Sequence, residues 1–310
     1  MERKPKMVLL QSHLAGTLRP MKISEILQTR KLTVSFEIFP PKQDSAYDSV
    51  ISCADTLARF NPDFISVTYG AGGGTSANTV KIASHLQESG VTPIAHLTCL
   101  SSTKAEIHNI IGELKERKIE NVLALRGDRP KDPEFVPPGD YAHATDLIRD
   151  IKGAGDFCVG GACYPEGHPE SGNKEKDLDN LKLKVDAGCS FLTTQMFFDN
   201  NMLYSFLYRA QGKGITVPVL AGIMPVTNGT QLRRIHELSN AYLPPKFLSL
   251  VDRFGDSPEA MKQAGIAYAT EQIIDLITNG VRGIHIYAMN KPDVVEKIVS
   301  NVSDIIEAAR

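Results

Sequence analysis

A short apolar run followed by a helical pattern recurs eight times along this 310-residue chain, and that repetition most constrains its fold. The runs span 33–39, 64–69, 93–99, 122–125, 157–164, 190–197, 217–224 and 283–288. Near-continuous apolar character over so few residues marks strands covered on both faces of a parallel sheet. Between them, Val50, Ile51, Ala54, Leu57 and Ala58 fall on one helical face, as do Ile107, Ile110, Ile111 and Leu114. Further helices are expected over 78–88, 141–152, 175–187, 202–212, 231–239 and 258–278, and after Lys291. Ser24 is expected to cap a short helix reaching Arg30, Gly90 to end one, and Ser257 to cap the helix that Pro258 opens.

Eight such units without a long interruption predict an α/β chain in one domain, a closed (β/α)8 TIM barrel over 21–310. Residues 1–20 are expected to form a loose amino-terminal extension. An open doubly wound sheet would bring a GxGxxG turn after its first strand. Pro40-Pro41 stands there instead, and the glycines of 70–74 follow the second strand without that spacing.

A formal net charge of -2 leaves no basic footprint for nucleic acid or an anionic membrane. No apolar run approaches the roughly 20 residues of a membrane span, and Gln11, Ser12 and His13 break the short run that starts at Met7. A cytoplasmic protein is expected. Cys53, Cys99, Cys158, Cys163 and Cys189 form no CxxC pair. On one strand Cys158 and Cys163 would face opposite sides, so reduced thiols are expected rather than a metal or iron–sulfur site.

A barrel of this kind gathers its chemistry at the carboxyl ends of the strands. Those ends carry Glu37, Thr68, His96, Arg126, Asp128, Tyr164, Gln195, and His285 or Tyr287. The clearest is 121–130, NVLALRGDRP, an apolar strand that breaks into opposed charges and a turn. Glu37, between Phe36 and Ile38, would lose solvation, and burial raises a carboxyl pKa toward acid catalysis. The others have plain alternatives: a lone strand histidine such as His96 is more often a satisfied core group, and Thr68 and Gln195 could bond the backbone. Asp177, Asn180 and Lys184 share a helix face that by spacing alone reads as solvated. His13, His85, His108, His143 and His236 lie in tails or helices and receive no role.

The segments SFEIFPPK, SVTYGAGGGT, AHLTC, ALRGDRP, ACYPEGHPES, DLDNLKLKVDAG, TTQMFFD, GIMPV, RFGD and GIHIYAMN follow one another between Ser35 and Asn290. In that order they resemble the methylenetetrahydrofolate reductase family, of bacterial type and with the catalytic barrel only. The resemblance implies a flavoprotein that reduces 5,10-methylenetetrahydrofolate to 5-methyltetrahydrofolate, in one-carbon metabolism and methionine biosynthesis. It implies Glu37 as general acid and Asp128 as an acid near both flavin and pterin. Thr68, His96, Arg126, Gly127, Asp128, Tyr164, His168, Asp177, Asn180 and Lys184 match flavin-holding positions, which overturns the solvated-face reading. Glu37, Asp128, Gln195 and Lys291 match the substrate set, Gln195 as a pterin contact. Lys291 stands where bacterial relatives often carry an arginine for the folate's glutamate tail; it keeps the charge without the bidentate fork.

The implied cofactor is FAD, and nothing in the chain separates it from FMN. One departure concerns the electron donor. Gly229 occupies a place where relatives usually carry an aromatic residue that packs nicotinamide or folate. That leaves NAD(P)H or a partner redox protein as donor, in an oligomer or heteromeric complex. A pterin-binding barrel methyltransferase without flavin, and a non-catalytic subunit of a redox complex, are the alternatives.

Overall fold

The computed structural model describes residues 21–41, 43–69, 76–129, 132, 134–230, 232, 235 and 241–310. The expected extension over 1–20, the glycine loop 70–75 and most of the helix expected over 231–239 lie outside the described residues.

The apolar runs form strands β1 (Thr33–Ile38), β2 (Phe64–Val67), β3 (Pro93–Thr98), β4 (Asn121–Leu125), β5 (Cys158–Cys163), β6 (Phe191–Thr194), β7 (Val219–Ile223) and β8 (Gly283–Tyr287). All pair in parallel, in chain order, and β1 closes on β8, so the barrel is as expected. The helices are α1 (Ile23–Thr29), α2 (Tyr47–Ala58), α3 (Ser76–Glu88), α4 (Lys104–Glu116), α5 (Ala144–Ala154), α6 (Lys174–Asp186), α7 (Asn200–Gly212), α8 (Pro245–Phe254), α9 (Pro258–Thr278) and α10 (Pro292–Ala309).

Strand alternation decides what the barrel encloses. In β1, Val34, Phe36 and Ile38 enter the apolar layer beneath the helices. Ser35 and Glu37, between them, point inward and meet His285 of β8. A second cluster sits at the amino-terminal end of the barrel. There Ile23, Ile26 and Leu27 of α1 cover Phe64, Ile94, Leu123, Cys158, Phe191 and Leu220. Asn121 pins this plug by accepting from Ile23 N at 2.8 Å and donating to the Met21 carbonyl at 3.1 Å. With one end stoppered, any ligand enters at the other. Cys158 belongs to the plug and Cys163 to the outer layer, the opposite faces that their spacing required.

The differences from expectation lie at element ends and in one added helix. Ser24 does not cap α1; Lys22 occupies that position and no side chain bonds there. Ser257 precedes Pro258 as foreseen, but its hydroxyl makes no capping bond. Thr103 with Glu106 forms a full capping box on α4, and Asn173 and Asp199 cap α6 and α7. α8 falls in a stretch given no element from the sequence; Pro245 stands at its first helical position, which suits proline. β1 stops before Phe39, whose N–H and carbonyl both bond the Asn290 side chain at 2.9 Å. Among the described residues no helix is long and apolar enough to cross a membrane.

Candidate active site at the carboxyl end of the barrel

Glu37 is only 6% exposed. The strand register sets it opposite Ser66 of β2, whose hydroxyl donates to Oε2 at 3.4 Å. His285 Nε2 lies 3.4 Å from the same oxygen, and so does His96 Nε2 of β3. Behind them Ser35 Oγ and His285 Nδ1 are 2.8 Å apart, which fixes that ring. Burial pushes the Glu37 pKa up, but the His285 hydrogen bond, the two imidazole charges and Ser66 together bring it below its ordinary value. The sequence expectation of a raised acid is therefore reversed. Phe36 and Ile38 report only the desolvation; the imidazoles arrive from other strands.

Burial pushes His96 down to about 4, so its ring is neutral above that pH. The contacts that keep Glu37 ionised near neutrality are then those of His285 and Ser66. His96 Nε2 is buried without a hydrogen-bond partner. Tyr287 lies across Gly222, donating to the Thr194 carbonyl at 2.6 Å. A Cβ at Gly222 would fall 2.6 Å from the phenol oxygen, so only glycine lets that ring cross β7.

The β4 end is built differently. Cys99 N and Leu100 N both donate to the Arg126 carbonyl, and Gly127 then turns at φ +88°. The Arg126 guanidinium grips Glu170 at two points, 2.6 and 2.7 Å. That pairing holds the Glu170 carboxyl down at about 2. Tyr164 meets His168 edge to face at 4.6 Å, and His168 Nδ1 accepts from Glu170 N at 3.1 Å. Burial pushes the Tyr164 phenol up to about 12 and lowers His168. Asp128 is exposed at this rim. Thr68 is buried at the β2 end, its carbonyl accepting from Thr79 Oγ1 at 2.9 Å.

On α6, Asp177 is buried and accepts from Ser171 Oγ at 2.8 Å. Lys184 donates to the Ala162 carbonyl of β5 at 2.8 Å, and burial lowers its pKa. Asn180, between them, is exposed. The solvated-face reading thus fails for both charged members. Gln195 has its side-chain Oε1 bonded by Met196 N at 2.9 Å. Lys291 Nζ lies 3.0 Å from Thr227 Oγ1 and ties the β8 turn to the β7 turn. At Gly229 a Cβ would meet the Gly255 Cα at 2.9 Å, so a larger residue would displace this turn from the end of α8.

The structure thus brings Glu37 to His96, and Arg126 to the Tyr164–His168 pair. Sequence reasoning named Glu37 without Ser66, which bonds it, or Ser35, which bonds His285, and passed over Glu166 and Glu170. Both acids stand in the ACYPEGHPES segment directly after β5, and that position was the available signal.

Comparison with known proteins identifies the family. The family model described as methylenetetrahydrofolate reductase matches residues 22–303. The 5,10-methylenetetrahydrofolate reductase of Pectobacterium carotovorum is 35% identical over 264 residues, 85% of this chain and 87% of that protein. That of Escherichia coli K12 is 34% identical over 85% of this chain and 88% of its own. The Arabidopsis thaliana methylenetetrahydrofolate reductase (NADH) 1 is 32% identical, and the match spans 93% of this chain but only 51% of the plant protein. A Clostridium thermocellum protein whose structure binds two copies of 5-methyl-5,6,7,8-tetrahydrofolic acid superposes with a TM-score of 0.65. It covers 93% of this chain and all of its own at 13% identity, which speaks for the fold alone. The chain belongs to the methylenetetrahydrofolate reductase family, and its reaction is the reduction of methylenetetrahydrofolate to methyltetrahydrofolate.

Proposed function

We propose that the reduction uses a flavin held at the carboxyl end of the barrel, with Glu37 as the proton donor. The observation that carries this reading is the Glu37 environment. A buried carboxylate faces the barrel mouth, bonded by Ser66 and His285 and within 3.4 Å of His96.

The residues at the mouth fit a flavin. Arg126 offers a two-point fork, now filled by a carboxylate, of the kind that also takes phosphate. His96 carries a buried nitrogen that makes no hydrogen bond, 3.4 Å from Glu37 Oε2. Thr68, His96, Arg126, Gly127, Asp128, Tyr164, His168, Asp177, Asn180 and Lys184 would hold the cofactor, which we take to be FAD. When bound, it supplies the hydride that the substrate's methylene carbon accepts.

The substrate arrives with its methylene bridging N5 and N10 in a closed ring. Glu37 delivers a proton to N10, the ring opens, and the methylene becomes an electrophilic iminium at N5. Asp128 stabilises that cation and accepts from the pterin's amino groups. Gln195 orients the pterin, and Lys291 meets the glutamate carboxylate as a point charge. Glu37 must carry a proton when the substrate is in place. Burial is the largest single influence on it and acts in that direction, so a ligand covering the mouth favours the acid form. The rate of folate reduction should then fall as pH rises through the carboxyl's pKa in the complex. A rate that climbs with pH across that range would remove Glu37 from the acid role.

For the electron donor we propose that NAD(P)H acts weakly and that a partner redox protein reduces the flavin. Gly229 supports this, since it provides no ring to stack on nicotinamide and has no room for one without moving the turn. Extraction and mass determination of the flavin settles FAD against FMN. Fast anaerobic bleaching of the purified flavoprotein by NADH would defeat the partner proposal.

A further inference from the structure

We infer that Glu166 is a specificity residue for the folate, and that one of its carboxylate oxygens accepts an N–H from the ligand bound beside Gln195. The inference rests on the folate reading above and deepens it.

β5 ends at Cys163, and Gly167 N closes a turn by donating to the Tyr164 carbonyl at 3.0 Å. The turn directs Glu166 toward the chain at 241–242. Its Oε2 accepts from Tyr242 N at 2.6 Å. Its Oε1 is buried with no hydrogen-bond partner. A small recess opens here, lined by Tyr164, Glu166, Gly167, Gln195, Met196 and Ala241, with a cavity volume of about 10 Å³. That is room for about one water-sized group, so the recess admits a single polar edge of a ligand whose body lies at the barrel mouth. Tyr164 and Gln195 already belong to the candidate site, and the recess is therefore continuous with it.

The two polar side chains present complementary groups. Gln195 spends its oxygen on Met196 N, which leaves its amide nitrogen to donate. Glu166 keeps an oxygen that can only accept while ionised. A donor beside an acceptor matches a group with C=O next to N–H. The pteridine lactam has that arrangement, and so does the carboxamide of nicotinamide. Gln195 is the pterin contact of the proposed mechanism, so the lactam is the ligand we assign. A buried acceptor left unpaired is costly, and a ligand N–H would satisfy it. Burial pushes Glu166 above the ordinary carboxyl range, while Tyr242 N–H and the Lys174 charge oppose that.

Glu166→Gln separates the two jobs of this side chain. The glutamine oxygen can still accept from Tyr242 N, while an NH₂ replaces the free acceptor. In the flavin-loaded full chain, Glu166→Gln should raise the KM for methylenetetrahydrofolate and the Kd for 5-methyltetrahydrofolate about tenfold. The kcat, the flavin content and the Tm should stay near those of the parent. Glu166→Ala, which loses the tether too, should show the same folate defect with a lower Tm. A folate analogue methylated on the lactam nitrogen should bind the parent protein about tenfold more weakly, a test that needs no variant. Unchanged folate constants in Glu166→Gln would overturn the inference. A raised KM confined to NADH would overturn it as well, by assigning the oxygen to the carboxamide. If the parent protein bound no folate, the mechanism above would fail and the inference with it.

Discussion

On one side of the barrel mouth, Glu37, His96 and His285 are each less than a tenth exposed. On the other, Arg126 reaches across to a Glu170 side chain that is 55% exposed. The first group sits on β1, β3 and β8, where register fixes each side chain to a neighbour's height. The second sits on turns, and what fixes it is one loop bonding another: Arg126 to Glu170, Glu166 to Tyr242, Lys291 to Thr227. Wall positions are dry and stiff, so they suit a proton whose energy depends on burial. Among the turn pairs, Arg126–Glu170 is open to water and can be exchanged, so it suits ligand charges that arrive and leave.

The largest expected effect tests the wall. Glu37→Gln should cut folate reduction by about 10²–10⁴, the usual worth of a general acid, while flavin content stays at the parent's level. Stopped-flow oxidation of the reduced flavoprotein by methylenetetrahydrofolate measures the first, and the absorbance ratio of the purified protein the second. If both collapse together, the division between a chemical wall and a binding rim is wrong.

His96 gives the next effect, in stability rather than rate. Its pKa falls from an ordinary 6.5 to about 4 on burial. Between those values the unfolded chain binds a proton that the folded one refuses, so stability drops as pH falls from 6.5 toward 4. At about 1.4 kcal/mol per unit, the drop is on the order of 3 kcal/mol. Urea unfolding of the flavin-free protein at pH 7 and pH 5 should show about 2 kcal/mol of it, and His96→Gln should flatten the difference. An equally steep loss in the variant would locate the sensitivity in another group.

The two sides also differed in how far the sequence revealed them. Strands were legible because Val34, Phe36 and Ile38 must be dry, and an apolar run announces that. Glu37 stood out for the same reason. Its setting did not, because Ser66 and His285 reach it through pairing between strands far apart in the chain. The direction of its pKa shift was misjudged on that account. At the rim, Asp177 and Lys184 fell on one face by spacing, and only the family resemblance marked that face as functional. The Arg126–Glu170 pair was invisible because nothing local joins a strand end to a turn 44 residues later. α8 was left unassigned, although Pro245 at a first helical position was a legible helix start.

At the rim, Arg126→Ala should weaken flavin binding by about 10–100-fold, the range for losing charge-assisted hydrogen bonds. The folate half-reaction of whatever fraction stays loaded should be close to the parent's. Fluorescence titration of apoprotein with flavin reads the affinity, and single-turnover assays on saturated samples read the rest. Intact affinity would show that the guanidinium serves Glu170 and no ligand.

The smallest effect discriminates between two meanings of the Arg126–Glu170 pair. If Glu170 stands in for an anionic ligand group, it competes with the flavin for the same fork. Glu170→Gln then removes the competing charge and leaves one neutral acceptor near Arg126. Flavin affinity should rise by a few fold at low ionic strength. Added salt should shrink the gain, since the pair is largely open to solvent. If Glu170 instead braces Arg126 in its binding pose, through Glu170 N on His168 and the two-point grip, the same variant lowers affinity. The sign of one titration, repeated at two salt concentrations, therefore says whether the rim is a set of exchangeable charges or a second rigid wall.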